Sequence, residues 1–542
     1  MTRNLEADMN ILRTVQRLAQ SRDFVAAGAL AERTLAEGFE HPMLLNAAAT
    51  RLEQEGRYEE ALRLLARAVA IAPKDIGARN ALALCLQRLD RPSEALYHID
   101  ELLRQEPNLP FAHANKGNAL MALGSLGRAR LSHLRAFELD PRNFSATAAL
   151  ASIATHRGQH EEAREWAQRT LRIVPGFPDA LLCLAAADLA GGNPAAAESR
   201  LRQLINDSRA GAADRARATG LLADVFDASG RYEEAFEAYG ISNGTIRQLQ
   251  RRFASSNVLG YVRESTAALE KLDPSRWTAR PESAPYGAAA EHVFLLGFPR
   301  TGTTLVEVVL DGNPRVVSLE EHELLADGVL AFMREPLDFE ALARADEPTL
   351  DALREAYWQR VRNAGIDVAD KVFVDKHPLN SLKLPLIAQL FPRAKILFAV
   401  RDPRDVILSC FRRRFQMNPS MYELLTLGGA SAFYAATMQF AYCAKRVLNL
   451  QWHEVRYERL IADFAAEMRA ICAVAGLEWL DSMGEFARRV QEREHATPST
   501  AQLSQGLVTS ATAQWRHYES QLAPALPALK PWIERLGYKG PV

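Results

Sequence analysis

An internal repeat of 34 residues runs through the first half of this chain and restricts the folds open to it. An alanine recurs at that interval, at Ala27, Ala61, Ala95, Ala129, Ala163 and Ala197. A proline, which cannot continue a helix, recurs at the same interval, at Pro73, Pro107, Pro141 and Pro175. Apolar residues between these markers fall at helical spacing, as in ALRLLARAVAIAP. Each repeat is therefore predicted to be two amphipathic helices that cross closely at the small alanine.

The two phased markers resemble the tetratricopeptide repeat over roughly residues 8–210. This resemblance implies an α-solenoid whose concave groove binds a peptide or another protein. The alternative is an array that only braces the rest of the chain or joins it into a homodimer. Ala235 follows Ala197 by 38 residues, which predicts an insertion in NDSRAGAADRAR and then a last, capping repeat.

The amino-acid composition changes after Leu272, where DPSRWTARPESAPYGAAA is rich in proline, alanine and small polar residues. We therefore predict a helical array over residues 1–270, a linker over 271–290 and a second domain over 291–542. Short apolar runs alternate with helices in that domain, namely HVFLLG, VFVD, AKILFAV and LQWHEVRY. Such runs are typical of parallel strands covered on both faces, so the second domain is predicted to be α/β with a central parallel sheet.

Charge and cysteine usage exclude several classes of partner. The formal net charge is −1, so no basic field favours nucleic acid as a ligand. The N-terminal residues lack the apolar core of a signal peptide, and no apolar run approaches the roughly 20 residues of a membrane span. Five cysteines lie far apart without a CxxC pair, which argues against disulfides or a metal site. These features predict a cytoplasmic protein that needs no metal.

The segment EHVFLLGFPRTGTTLVEVVL reads as a strand, a loop and a helix, and its spacing resembles a P-loop. Thr303 stands where a P-loop has lysine, which argues against hydrolysis of ATP or GTP. Backbone amides at the start of the helix and the Arg300 guanidinium still suit a phosphate or sulfate. The alternative is an ordinary strand-to-helix turn. The predicted anion-binding residues are Pro299, Arg300, Thr301, Gly302, Thr303 and Thr304.

A second anion site is predicted in KILFAVRDPRDVILSCF. Arg401 ends the strand, and Ser409 lies about two turns into the following helix, so both could face one phosphate. Taken alone, RDPRD is more often a salt-bridged turn. Together with the first loop it predicts two clamps for a doubly phosphorylated ligand.

Strand–PRTGTT–helix followed by strand–RDPRD…S resembles the sulfotransferase superfamily, in particular tyrosylprotein sulfotransferases and bacterial proteins that join tetratricopeptide repeats to such a domain. The resemblance implies an α-solenoid followed by a P-loop-like sulfotransferase domain. It also implies the donor 3′-phosphoadenosine-5′-phosphosulfate (PAPS), with the first loop on the 5′-phosphosulfate and Arg401 with Ser409 on the 3′-phosphate.

The same resemblance implies the catalytic residues. Glu321, the second of a Glu-Glu pair, matches the family's general base, and Lys376 matches the lysine that stabilises the leaving oxygen. His377 departs from the tyrosylprotein pattern and is the alternative base, since cytosolic sulfotransferases use a histidine after a comparable strand. Ser499 matches a phosphate-contacting serine in the segment that closes over the cofactor. That segment departs from the family where Gln514, Ser504 and Gly506 replace its usual basic and proline residues.

The sequence thus predicts sulfuryl transfer from PAPS to a hydroxyl of a peptide tyrosine, a carbohydrate or a small molecule. The repeats would bind the acceptor or a partner protein. Two alternatives belong to other classes: a P-loop kinase, disfavoured by the missing lysine, and a non-catalytic repeat adaptor that carries a nucleotide-binding domain.

Overall fold

A computed structural model describes residues 5–273, 277, 289–334, 337–492, 503, 506–507 and 512–539. The chain forms two compact units. The first extends to Thr155 and includes Gln159–Leu184, whereas the second comprises His156–Gly158, Ala185–Glu492 and the described C-terminal residues. The predicted domain boundary at residues 271–290 remains a prediction.

The first part of the chain is a succession of paired helices. Their bounds are α1 Leu5–Gln20, α2 Phe24–Ala36, α3 Pro42–Gln54, α4 Tyr58–Ile71, α5 Ile76–Arg88, α6 Pro92–Gln105, α7 Pro110–Ala122, α8 Leu126–Leu139, α9 Phe144–His156, α10 His160–Ile173, α11 Pro178–Ala190, α12 Pro194–Asn206, α13 Ala212–Ala228 and α14 Tyr232–Leu249.

Both sequence markers occupy the predicted places in these pairs. Each marker alanine is the fourth residue of the second helix of its pair, and none is more than 1% exposed. Each marker proline lies two residues beyond the end of such a helix. The prediction of a tetratricopeptide-repeat solenoid is confirmed.

A third marker recurs in the turn between the two helices of each pair, where the backbone enters the left-handed region. The residues with positive φ are Arg22, Gly56, Asp90, Gly124, Gly158, Gly192 and Gly230. Glycine occupies most of these positions because it reaches that region without steric cost.

The predicted insertion in NDSRAGAADRAR takes the form of a longer helix. Helix α13 has 17 residues where α11 has 13. Both helices end two residues before the glycine of the following turn, Gly192 or Gly230, so the four extra residues lie at the start of α13, inside the predicted segment. The spacing of the marker alanines does not show that the added residues are helical.

The second unit contains a sheet of five parallel strands, β1 Glu291–Gly297, β2 Val316–Glu320, β3 Val372–Lys376, β4 Lys395–Val400 and β5 Gln451–Arg456. Their order is β2-β3-β1-β4-β5. The predicted central parallel sheet is confirmed. The carboxyl ends of parallel strands share one edge, where ligands bind in open α/β sheets.

Helices surround this sheet. Their bounds are α15 Val258–Glu270, α16 Thr303–Leu310, α17 Ala326–Phe332, α18 Phe339–Arg344, α19 Glu347–Asn363, α20 Leu384–Leu390, α21 Pro403–Arg412, α22 Pro419–Glu423, α23 Leu427–Val447, α24 Tyr457–Ala462, α25 Phe464–Ala475, α26 Phe486–Glu492, α27 Glu519–Leu522 and α28 Leu526–Arg535. None of the helices in the described ranges is both long and apolar enough to cross a bilayer.

Alternate residues of β1 face opposite cores. Phe294 and Leu296 pack on one face, in a core that also contains residues of α15, α19, α20 and α23. Val293 and Leu295 pack on the other face, against α16 and α25. Burial on both faces explains why the strands are continuous apolar runs in the sequence.

Candidate functional site

The loop between β1 and α16 closes around a glycine that cannot be replaced without strain. Gly302 caps α16 with a φ of 101°, in the left-handed region. A Cβ at Gly302 would lie 2.6 Å from Cδ2 of Tyr457. The absence of a side chain at Gly302 leaves room for the Tyr457 ring. Thr303 and Thr304 are the buried first residues of α16, and backbone amides at the start of a helix suit an anion.

The loop is also fixed by hydrogen bonds to its own backbone. The Thr301 hydroxyl donates to the carbonyl oxygen of Phe298 at 2.7 Å. The Ser381 hydroxyl donates to the carbonyl oxygen of Gly297 at 3.1 Å. The Cys410 thiol approaches the Pro299 carbonyl oxygen at 3.5 Å. The predicted anion-binding loop is therefore held in shape by the surrounding structure.

Arg300 joins the two predicted anion clamps. Its Nε donates to the Ser409 hydroxyl at 3.0 Å, and its carbonyl oxygen accepts from Nη1 of Arg401 at 3.1 Å. Arg300 has a φ of 71°, which is uncommon for a residue other than glycine. Such backbone strain is concentrated at ligand-binding and catalytic sites.

The guanidinium groups around this loop repel one another. Burial, together with Arg413 and Arg401, lowers the pKa of Arg300 to about 9. The guanidinium of Arg401 also lies over the ring of Tyr457, 4.6 Å from its centroid. A bound anion would relieve this repulsion, so the electrostatics suit a phosphate or sulfate ligand.

The RDPRD segment combines both interpretations that the sequence left open. Arg401 faces the loop, whereas Arg404 forms a buried fork-to-fork ion pair with Asp402, with contacts of 3.0 and 2.8 Å. The guanidinium of Arg404 also stacks on Trp515, 3.7 Å from its centroid. Asp405 accepts the backbone N–H of Trp515 at 2.9 Å. RDPRD is thus partly a salt-bridged turn that anchors the C-terminal segment.

Lys376 ends β3 and is fully buried among carboxylates. Its Nζ lies 2.5 Å from Oε1 of Glu320, 2.9 Å from Oε1 of Glu321 and 3.7 Å from Oε2 of Glu307. Burial opposes the charge on Lys376, but the three carboxylates outweigh it and raise its pKa above the usual value. Lys376 is therefore a cation at neutral pH.

Glu321 is more accessible than its neighbours, with a side chain that is 49% exposed. Its φ is 53°, a second left-handed backbone at the site. Desolvation would raise the pKa of its carboxyl, but Lys376, His377 and Arg300 lower it. Because Arg300 takes part in this shift, the anion-binding loop and the Lys376–Glu321 pair act on one another electrostatically.

His377 follows Lys376, and its ring contacts a different carboxylate. Nε2 of His377 lies 3.3 Å from Oε1 of Glu323, whose side chain is exposed. The contact with His377 is the largest cause that lowers the pKa of Glu323 to about 2. The structure thus places the two candidate bases in separate pairs.

The sequence analysis missed two residues of this site. Glu307 of α16 is 1% exposed and accepts from the Ser318 hydroxyl at 2.9 Å. A lone glutamate in the apolar helix TTLVEVVL was a visible signal. Tyr457 begins α24 and contacts Gly302 and Arg401, and no local pattern marked it. Ser499 lies outside the described residues.

Comparison with known proteins assigns this region to a family. The model of the Sulfotransferase family matches residues 292–481, and two Tetratricopeptide repeat models match residues 52–116 and 114–178. An uncharacterised protein of Aquifex aeolicus is 25% identical over 359 residues, which are 62% of this chain and 44% of that protein.

Two relatives carry functional names. Protein-tyrosine sulfotransferase 2 of Gallus gallus is 25% identical over 45% of this chain and 69% of its own length. Protein-tyrosine sulfotransferase 1 of Danio rerio is 24% identical over 51% of this chain and 80% of its own. Residues 292–481 are therefore a sulfotransferase-family domain, which follows tetratricopeptide repeats in this chain.

Proposed function

We propose that this protein transfers a sulfuryl group from PAPS to an acceptor hydroxyl. The observation that carries the proposal is the arrangement at the carboxyl edge of the sheet. Arg300, Arg401 and Ser409 form one cluster, and Lys376 with Glu321 forms another. Arg300 links the two, because its charge lowers the pKa of Glu321.

The residues of the loop fit an anionic donor. The amides at the start of α16, the guanidinium of Arg300 and the hydroxyl of Ser409 would hold its phosphate and sulfate groups, and Arg401 would complete the positive field. Gly302 lets the Tyr457 ring pack against the loop, where the Cβ of any other residue would collide with it. When bound, PAPS supplies an activated sulfuryl group and leaves as 3′,5′-bisphosphoadenosine.

The residues of the second cluster fit the roles of base and cation. Glu321 is ionised and half exposed, so it can accept the proton of an acceptor hydroxyl that approaches from solvent. As the new oxygen–sulfur bond forms, the bond between sulfur and the 5′-phosphate oxygen breaks. Lys376 stabilises the negative charge left on that oxygen. His377 is the second candidate for the base, and its pairing with Glu323 makes Glu321 the better one.

We infer that the acceptor is a peptide tyrosine, which the names of two relatives support. Repeat arrays present concave surfaces that bind peptides, so the repeats would select the acceptor or a partner protein. All five cysteines are buried free thiols, which supports the cytoplasm as the compartment.

Calorimetric titration with 3′,5′-bisphosphoadenosine tests the donor site. Wild-type protein should bind it, and Arg300→Ala or Arg401→Ala should abolish binding. Arg360→Ala is a matched control, because Arg360 pairs with Asp327 on the surface. Failure of the wild type to bind would refute the proposal, and magnesium-dependent turnover of ATP would favour a kinase.

Incubation with radiolabelled PAPS and cell extract tests the reaction itself. Mass spectrometry of the labelled product should find sulfated tyrosine. A sulfated carbohydrate or small molecule would change the acceptor but retain the reaction. If Glu321→Ala and Lys376→Ala left the cellular phenotype of the wild type unchanged, a non-catalytic adaptor would be the better description.

A further inference from the structure

One carboxylate of the last repeat helix pair, α13 and α14, forms hydrogen bonds with residues next to the proposed donor site. Asp227, near the end of α13, accepts from Nη2 of Arg412 at 2.5 Å and from the Tyr518 hydroxyl. All three residues belong to the compact unit that contains the sheet. Asp227 is therefore part of the same body as the sulfotransferase-family domain.

The two partners of Asp227 lie at the ends of elements that reach the donor site. Arg412 is the last residue of α21, one helical turn after Ser409. Tyr518 ends the 3-10 helix Gln514–Tyr518, which contains the tryptophan stacked on Arg404. Nη1 of Arg412 also donates to the Gln514 side chain at 3.1 Å. Asp227 thus joins α21, the helix that carries Ser409, to the 3-10 helix of the C-terminal segment.

The contact between Asp227 and Arg412 is largely buried. The side chains of Arg412 and Asp227 are only 11% and 20% exposed. Burial opposes the charge of Arg412, but Tyr239, Asp227 and Tyr518 outweigh it and raise its pKa. Removal of one partner from such a pair leaves a buried charge behind, which is costly.

The residue before Arg412 is also held by the last repeat pair. The ring of Phe411 stacks on Phe236 of α14 at 5.2 Å between centroids. The Asn243 side chain of α14 donates to the Phe411 carbonyl oxygen at 2.9 Å. Helices α13 and α14 therefore fix the end of α21 by charge, by aromatic packing and by a backbone contact.

We propose that Asp227 is a positioning residue for the donor site. By fixing Arg412 it sets the position of α21, and with it the Ser409 hydroxyl that accepts from Arg300. The inference rests on the proposed binding of PAPS, and it gives the last repeat pair a role in the donor site besides any role in binding a partner.

The test compares Asp227→Asn with Asp224→Asn in the full-length protein. Asp224 lies one turn earlier in α13 and accepts the Tyr239 hydroxyl at 2.6 Å, a contact internal to the last repeat pair. Both variants remove one negative charge. Asp227→Asn should raise the dissociation constant of 3′,5′-bisphosphoadenosine about tenfold and raise KM for PAPS, with kcat retained at saturating donor. The charge of Asp224 also acts on Arg412, but more weakly than that of Asp227, so Asp224→Asn should change these constants far less than Asp227→Asn.

A cycle with Arg412→Gln tests whether the two residues act together. Asp227→Asn should add little to the effect of Arg412→Gln on the dissociation constant, because the contact is already lost. Fully additive effects would overturn the inference, and so would equal effects of Asp227→Asn and Asp224→Asn.

Hydrogen exchange without ligand separates this inference from the proposed function. Backbone amides of α21 should exchange faster in Asp227→Asn than in Asp224→Asn or wild type. Unchanged exchange would overturn the positioning role, and so would faster exchange with unchanged affinity. If the wild type binds no bisphosphoadenosine, the proposed donor fails, and the exchange rates still decide whether Asp227 fixes α21.

Discussion

Nζ of Lys376 lies 2.9 Å from Oε1 of Glu321, and the backbone N–H of Glu321 donates to the Lys376 carbonyl oxygen at 2.7 Å. These two contacts tie the ends of β2 and β3 together. The ion pair keeps Glu321 ionised, while the exposed half of its side chain remains open to a substrate. The proposed base and its neighbouring cation are thereby held at a fixed separation before any ligand binds.

Glu321→Gln should lower kcat by about 10²–10⁴-fold, the usual contribution of a general base. The dissociation constant for bisphosphoadenosine should not rise, because Glu321 lies outside the anion-binding loop and its negative charge, which acts on Arg300, is removed. Glu340→Gln is the control, since Glu340 pairs with Arg344 on an exposed helix surface. Retention of wild-type kcat in Glu321→Gln would assign the base elsewhere.

The pH profile distinguishes the two candidate bases. The pKa of Glu321 is lowered from 4.5, so its carboxyl stays ionised as the pH falls well below neutrality. We therefore expect kcat/KM to stay flat from about pH 8 down to about pH 6. An acidic limb in this range that disappears in His377→Gln would identify His377 as the base.

Lys376→Met should lower the free energy of unfolding by about 3–5 kcal/mol at pH 7.5, because Glu307, Glu320 and Glu321 would face one another without the ammonium. Glu307→Gln in the same chain should restore part of the loss by removing one of the three charges. Urea unfolding of both variants and of Glu307→Gln alone measures this coupling. Equal losses in the single Lys376 variant and in the double variant would contradict it.

Gly302→Ala should cost more stability than Gly365→Ala and should also weaken binding of bisphosphoadenosine. Both glycines have positive φ, but a Cβ at Gly365 would meet nothing within 4 Å. Gly365→Ala therefore reports backbone strain alone, about 1–2 kcal/mol. Thermal unfolding and calorimetric titration of both variants separate backbone strain from the collision with Tyr457. Equal losses of stability in the two variants would exclude that collision.

Asp375→Asn should stabilise the protein relative to wild type more at pH 8 than at pH 5. Burial raises the pKa of Asp375 to about 6, although the Tyr357 hydroxyl donates to it. Because the folded pKa exceeds the unfolded one, the contribution of Asp375 to wild-type stability is fully present below about pH 4 and is lost as the pH rises through 6, a change of at most about 3 kcal/mol.

The side-chain amide of the Asp375→Asn variant resembles the protonated carboxyl and does not titrate, so the variant avoids this loss of stability. Unfolding temperatures of the wild type and the variant at pH 5 and pH 8 measure the difference. Asp327→Asn, on the surface, should show the same offset from wild type at both values. An offset for Asp375→Asn that does not change with pH would show that Asp375 is not protonated on folding.

The repeats and the sheet could be predicted because each rests on a pattern that many residues share. The 34-residue period fixed the helix pairs, and continuous apolar runs predicted the parallel strands. The insertion before Ala235 could be placed in NDSRAGAADRAR, but its form could not, because a break in spacing does not show whether added residues lengthen a loop or a helix.

The site was predictable only where local sequence implied chemistry. Arg300, Arg401 and Ser409 were predicted as separate clamps, and their direct contact follows from strand ends that meet at one edge. Glu307 was missed because its significance depends on Lys376, which lies on another strand. The catalytic roles of Glu321 and Lys376 remain predictions that the experiments above test.

The compact units divide inside α11, within a stretch where the repeat period is still uniform. Whole repeats could be added or deleted ahead of this point while the contacts of α13 and α14 with α21 stay the same. The number of repeats is therefore free to change in evolution or by engineering without a change at the proposed donor site.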